Sequence, residues 1–263
     1  MIMCKIIAFS NHKGGVGKTT STINIGASLA QTYKVLLLDL DPQANLTQSL
    51  VKDKDLENIS SIYDYIKEFR LRSDDTLNLS INPLCIKSNL YVIPATLDLT
   101  AAEIEICAET GRERIINEIL SEIKKDYDYI LIDCPPSLGI LTINALSAAD
   151  LVVIPTTAEY LPMRGLAKLT EVVKKIKSRI NNKLDIGCVF LTKFDSRKIL
   201  NREILEKLKQ YFGNKLMETK ISVGIVLAEA PSQKKDIFSY NEASKAAKEY
   251  DSLTQEILEK VLK

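Results

Sequence analysis

Short runs rich in valine, isoleucine and leucine recur along the chain: KIIAFS (5–10), KVLLLDL (34–40), LYVIPA (90–95), YDYILID (127–133), LVVIPTT (151–157) and LDIGCVFLT (184–192). A half-solvated strand alternates apolar and polar positions. Runs apolar on nearly every position suit strands buried on both faces, as in a parallel sheet covered by helices. Between them, apolar residues at helical spacing predict helices near 18–32, 98–108, 111–125, 139–148, 162–181 and 196–212. The alternation predicts an α/β fold with a doubly wound, mostly parallel β-sheet and helices on both faces. Residues 51–89 break the pattern with clusters of Asn, Ser and Asp, and read as a surface excursion whose best helix is IYDYIKEF (62–69). In 240–263, Ala243, Ala246, Ala247, Tyr250, Leu253, Ile257, Leu258 and Val261 mark a one-sided helix. No internal repeat or low-complexity linker divides the chain, so one domain over residues 1–263 is expected.

Charge and cysteine content narrow the chemistry. The formal net charge is +1, so nucleic-acid binding would have to come from a local patch. Cys4, Cys85, Cys107, Cys134 and Cys188 are scattered and form no C-x-x-C pair, and His12 is the only histidine, so a Cys/His zinc cage is not available. Reduced, mostly buried thiols are the plain expectation. No run approaches the roughly 20 apolar residues of a membrane-spanning helix, and the N-terminus lacks the pattern of a secretory leader, which points to a cytoplasmic protein.

The chemistry concentrates in NHKGGVGKTT (11–20), between the first predicted strand and helix. Gly17, Lys18 and Thr19 close the phosphate-loop pattern G-x-x-x-x-G-K-S/T, but His12 stands where its first glycine belongs, followed by a second lysine, Lys13. Gly14, Gly15 and Gly17 would let the backbone N–H groups from Gly14 through Val16 to Thr20 turn inward around phosphate oxygens, and a helix N-terminus adds partial positive charge. Lys18 would neutralise the β- and γ-phosphates of a nucleotide, and the Thr19 hydroxyl would ligate Mg2+.

A magnesium–nucleotide site also needs a carboxylate at a nearby strand end. Asp133 closes YDYILID and would reach the metal through a water. Its followers, Cys134 and Pro135, cannot orient a hydrolytic water. Asp39 and Asp41, in LLLDLDPQAN, would share one side if their strand persisted. Asp41 lies nearer the carboxyl edge and is the favoured water-positioning residue, with Asp39 structural.

Taken together, KGGVGKTT, LLLDLDPQAN, YDYILIDCPPSLGILTINALSAAD and LAEAPS resemble the ParA/Soj DNA-partition ATPases, of the deviant Walker A (ParA/MinD) group of P-loop NTPases. The resemblance runs from Lys5 to about Leu258 and is to the small type without an N-terminal DNA-reading extension. It implies that Lys13 reaches across an ATP-sandwich homodimer to the partner's nucleotide phosphates, like an arginine finger in trans. It also implies that Asp41 is the hydrolysis residue and that Pro231 and its neighbours line the adenine, with Thr192 and Asp195 as weaker base-site candidates. His12, where relatives often carry glutamine, is expected to pack at the loop's shoulder.

The same resemblance implies nonspecific binding of double-stranded nucleoid DNA by basic surface residues, with hydrolysis stimulated by a ParB-like partner to segregate plasmid or chromosome DNA. Arg197 matches a family DNA-contacting position. Family arginines in a segment like I-P-R-N-V-R-L-S-E-A-P-S are replaced here by Val223 and Val226. Lys198, Arg202, Lys220, Lys234 and Lys235 are candidate substitutes, in a part of the chain (193–263) with 14 basic and 11 acidic residues. A MinD-like relative would use a membrane as its track, through an amphipathic C-terminal helix. The acidic residues of 240–263 speak against that, and a relative with a protein assembly as cargo is a further alternative. An iron-protein relative would need a second, symmetrically placed cysteine beside Cys134, which the sequence lacks.

Overall fold

The computed structural model describes residues 4–57, 59–71, 79–159 and 162–262, with no account of the side chains of residues 162–164. The described strands are β1 (Lys5–Phe9), β2 (Val35–Asp39), β3 (Leu84–Lys87), β4 (Leu90–Ile93), β5 (Tyr129–Asp133), β6 (Leu151–Thr157) and β7 (Asp185–Thr192). The helices are α1 (Lys18–Leu29), α2 (Asn45–Leu50), α3 (Asp53–Leu56), α4 (Ile62–Arg70), α5 (Leu99–Ile106), α6 (Ile115–Ser121), α7 (Ile140–Ala148), α8 (Pro162–Arg179), α9 (Ile199–Phe212), α10 (Val226–Glu229), α11 (Ile237–Asn241) and α12 (Lys245–Lys260). The strands form one sheet in the order β3-β4-β2-β5-β1-β6-β7. All pairings are parallel except β3 with β4.

The all-apolar runs explain this architecture. Leu36 and Leu38 face one buried layer with Ile130 and Ile132, while Val35 and Leu37 face the other with Tyr129 and Leu131. Both faces of β2 and β5 are therefore dry, which a parallel sheet between two helical layers requires. The sheet reverses direction around β1, whose neighbours β5 and β6 lead away on opposite sides. Such a switch point opens a crevice at the strands' carboxyl ends.

Several expectations change in detail. β3 falls inside the segment read as irregular; its short LCIK run pairs antiparallel with β4 across a two-residue turn, with partial exposure, and so lacks the uniform apolar signal. The predicted helix at 111–125 starts only at Ile115, after a turn at Gly111 with φ 70°. The predicted C-terminal helix is two: α11 ends at Asn241 and α12 begins beyond a Ser244 cap whose hydroxyl accepts from the Ala247 N–H. The apolar face of α12 (Ala246, Ala247, Tyr250, Leu253, Ile257) is buried, and the Tyr250 hydroxyl meets Ser21 of α1 at 3.1 Å. Cys134 and Cys188 are buried, but Cys85 and Cys107 are exposed and Cys4 is intermediate, so the thiols are not mostly buried. Among the described residues, no helix is long and apolar enough to cross a membrane.

Candidate functional site

The loop between β1 and α1 sits at the switch point. Gly15 has φ 72° and Gly17, which caps α1, has φ 83°, left-handed values that penalise any side chain. Gly17 makes no side-chain cap bond, so the first N–H groups of this twelve-residue helix face the loop without a side-chain acceptor. That is the arrangement in which a phosphate oxygen becomes the acceptor. Val16 is buried, and its carbonyl accepts from the Thr192 hydroxyl at 2.8 Å, which pins the loop to the end of β7. Thr192, offered as a base contact, thus supports the loop from beneath. Asn11 fixes the loop's other shoulder, donating to the Pro155 carbonyl at 2.9 Å and accepting from the Lys13 N–H at 3.1 Å.

Register then assembles the carboxylates. Asp133, the last residue of β5, lies beside Phe9 of β1 and Asp39 of β2. Asp133 and Asp39 are fully buried. Asp39 accepts from the Thr47 N–H (2.9 Å), the Thr47 hydroxyl (2.7 Å) and the Asp41 N–H (3.2 Å). Burial still pushes its pKa up to about 6, against the pull of the Thr47 bonds. That network ties Asp39 to the start of α2 and to the turn at Asp41. Asp133 has no such support. Neither of its oxygens has a hydrogen-bond partner of normal geometry. Its pKa stands well above the usual carboxylate range, raised first by burial and then by Asp39, with Thr19 and Lys18 close enough to oppose this only partly.

Lys18 is buried at the start of α1, its ammonium 3.5 Å from the Lys13 carbonyl. Burial lowers its pKa, opposed by the nearby Asp133, Cys134 and Asp41. The buried Asp133 carboxylate and the Thr19 hydroxyl supply hard oxygen donors, and the Lys18 ammonium beside them supplies positive charge for a phosphate. That set fits Mg2+, which is held through few protein oxygens, waters and substrate phosphates.

Asp41 reaches the same locus by a route other than the one expected. β2 ends at Asp39, so strand alternation does not extend to Asp41. Instead a tight turn carries it, with Asp41 accepting from the Gln43 N–H at 3.0 Å and Ala44 left-handed at φ 52°. Asp41 is nevertheless buried and within electrostatic range of Lys18 and Asp133. Pro231 lies in a helical turn (230–233) and, with Thr19, Thr20, Asn24, Leu227 and Lys235, lines one narrow cleft beside the loop.

Three features were not legible in the sequence. The Lys13 ammonium forms an ion pair with Glu159, two residues beyond the end of β6. The position of Glu159 past a strand's carboxyl edge marks it for the site's neighbourhood but not for Lys13. Lys235, offered as a DNA contact, lines the cleft with Thr19 and Thr20, and Lys234 donates to the Gln48 carbonyl at 2.8 Å. These two stand apart from Arg197, Lys198, Arg202 and Lys220, which gather where β7 gives way to α9. There Arg197 is bidentate to Asp195, both contacts at 2.9 Å, so Asp195 is occupied and the arginine's charge is partly offset. Val223 and Ile225 are exposed beyond, at 70% and 77%, whereas Val226 packs partly against the core.

The third feature is the His12 ring, which occupies the space above Gly165 of α8; a methyl group at Gly165 would lie 1.6 Å from the ring's Cε1. Gly165→Ala should therefore expel His12 from the loop's shoulder. We expect at least about tenfold weaker nucleotide binding with a loss of about 1–3 kcal/mol in stability, the usual range for overpacking. Nucleotide titration beside a thermal melt checks both, and an unchanged affinity would remove His12 from the loop's support.

Residues 4–186 match the AAA_31 family, described as an AAA domain. The chain is 44% identical over 257 residues to the sporulation initiation inhibitor protein Soj of Bacillus subtilis, covering 97% of this chain and 98% of that protein. It is 42% identical over 257 residues to the chromosome-partitioning ATPase Soj of Treponema pallidum, with the same coverage of 97% and 98%. Among solved structures, a plasmid partition protein of Borrelia burgdorferi B31 bound to AMPPNP superposes with a TM-score of 0.82 at 28% identity, covering 98% of this chain and 99% of that one.

Proposed function

The chain belongs to the ParA/Soj family of partition ATPases, and on that premise we propose that it hydrolyses Mg2+–ATP as an ATP-dependent sandwich dimer that binds nucleoid DNA nonspecifically. Partner-stimulated hydrolysis would then move plasmid or chromosome cargo in the cytoplasm. The observation that carries this reading is the partnerless, fully buried Asp133 carboxylate facing Lys18 and Thr19 at the carboxyl edge of β5.

The roles follow from position. The N–H groups of Gly14 to Thr20 and the Lys18 ammonium would hold the phosphates, with Pro231 and Lys235 beside the base and sugar. Thr19, and Asp133 through a water, would hold Mg2+, which when bound would neutralise charge developing on the phosphates. Asp41 would orient the attacking water. The Lys13 ammonium, half-exposed at the rim, would complete the partner's site once released from Glu159.

This reading predicts the behaviour of Asp41→Ala. With ATP the variant should run as a stable dimer by light scattering on size exclusion, and with ADP as a monomer; a monomer in both states would sink the sandwich mechanism. DNA binding by the ATP form should be salt-sensitive, but with a shallow slope. Of the candidate DNA contacts, Arg197, Lys198 and Arg202 are the exposed ones here, and Arg197 is already paired. About two to three phosphates per protomer limit the slope of log K against log salt to about −5 for a dimer. Anisotropy on plain duplex DNA reads this directly, and no binding at low salt would remove DNA as the track.

A further inference from the structure

At the amino-terminal edge of the sheet, opposite the phosphate loop, lies a second cavity of about 750 Å3. Its apolar lining includes Cys4, Ile6, Tyr127, Ala148 and Ile180, with the amides of Asn117 and Asn182 among its polar groups. Four cations converge on it: Arg114 ahead of α6, Lys124 and Lys125 in the turn after it, and Lys183 before β7. All four are exposed, and among the described residues none of them has an ion pair or side-chain hydrogen bond. Three carboxylates lie nearby, Asp150 in the lining itself, Asp128, and the exposed Asp126 beside Tyr127, and among the described residues none forms an ion pair with these cations. Asp150 accepts from the Ile6 N–H at 2.9 Å, and Asp128 from the Lys34 N–H at 2.8 Å. The field of Lys124 reaches Cys4 inside the cavity, where Asp150 and Asp128 act on the same thiol.

The lysines of α8 offer a contrast. They spread along one helix face, and Lys177 pairs with Asp185. Around this cavity, by contrast, the cations come from three separate segments and line one concavity, so an anion seated between them would be attracted by several of them at once. The volume falls in the range of small-molecule sites, and the mix of apolar floor, free amides and cationic rim suits an organic molecule carrying more than one phosphate.

We propose that this cavity binds a small organic polyanion with two or more phosphate groups, at a site separate from the nucleotide loop. The inference does not depend on the DNA-partition reading, because it uses none of the loop residues.

Fructose 1,6-bisphosphate is a suitable probe, since it does not mimic the nucleotide. The full chain, saturated with ADP and Mg2+, would be titrated while following the backbone amide signals of Tyr127, Ser147 to Asp150 and Asn181 to Lys183. Saturable shifts at one equivalent are expected. The paired variant Lys124→Ala/Lys183→Ala should weaken binding by roughly tenfold or more, as two charge-assisted contacts are lost, with ADP affinity and melting temperature unchanged. Absence of shifts in these amides, or equal affinity in the variant, would overturn the proposal. So would loss of duplex DNA binding in the variant without any bisphosphate binding in the wild type, which would assign the patch to nucleic acid.

Discussion

Asp133→Asn should abolish ATP turnover while making the nucleotide-free protein more stable. The catalytic loss is expected at about a hundredfold or more, comparable to removing one preorganised group that stabilises transition-state charge. The stabilisation follows from the carboxylate's surroundings: it is fully buried, its oxygens lack partners, and Asp39 lies beside it in register. Relieving a buried unsatisfied charge should contribute about 1–3 kcal/mol, several degrees in melting temperature for a chain of this size. The pH dependence has a definite sign. Asp133 and Asp39 both hold their protons more tightly in the folded chain than in the unfolded one. Stability from these groups is therefore greatest below about pH 4 and declines as pH rises, with the Asp39 part of the decline complete above about pH 6. Calorimetric melts between about pH 4 and 8 would detect this, and Asp133→Asn should flatten the curve. If the variant melts lower than the wild type at neutral pH, Asp133 is a structural residue and the metal assignment loses its main support.

The second large effect belongs to the extra lysine. Lys13→Ala should leave ATP binding to the isolated chain within a few fold, because Lys18 and the loop's N–H groups remain. It should prevent the ATP-dependent dimer and lower stimulated hydrolysis by about a thousandfold, the lower range for a charge supplied in trans. Its ion partner should act in the opposite direction. Glu159 holds the Lys13 ammonium within its own chain and has its carboxyl pKa lowered chiefly by that contact. Glu159→Gln should therefore release the lysine and shift the monomer–dimer balance toward dimer at a given ATP concentration. The pair is largely solvent-exposed, so the shift should be modest, about two- to fivefold. Analytical ultracentrifugation of both variants with a non-hydrolysed ATP analogue separates the outcomes. A dimer formed by Lys13→Ala would defeat the trans role.

How much was legible in the sequence depends on how local the information is. The loop from Lys13 to Thr20 could be read because a phosphate cradle is built by consecutive residues, and a strand before it and a helix after it leave their own periodic marks. The central strands were legible because burial on both faces removes polar positions altogether. Asp133 was legible because it ends such a strand. Strand alternation was the wrong route to Asp41: its strand stops at Asp39, and a turn carries it toward Lys18 and Asp133 instead. β3 escaped notice because a short edge strand is wetted on one side and need not be uniformly apolar.

Pairings between distant segments left no trace that a linear reading could use. Nothing in the sequence ties Glu159 to Lys13, 146 positions away, or Gly165 to the ring of His12. The same holds for Arg114, Lys124, Lys125 and Lys183, which become one cationic rim only when the strands enter the sheet side by side. The five basic residues pooled by charge alone were likewise divided by the fold, three joining Arg197 near the end of β7 and two lying beside the cleft at Thr19 and Thr20. The sequence by itself determined the fold class and the phosphate loop, because backbone conformation and strand burial are encoded within a few residues of one another. Only the tertiary structure decided which charges meet, because electrostatic partners are selected by distance in space, and the order of strands in the sheet bears no simple relation to their order in the chain.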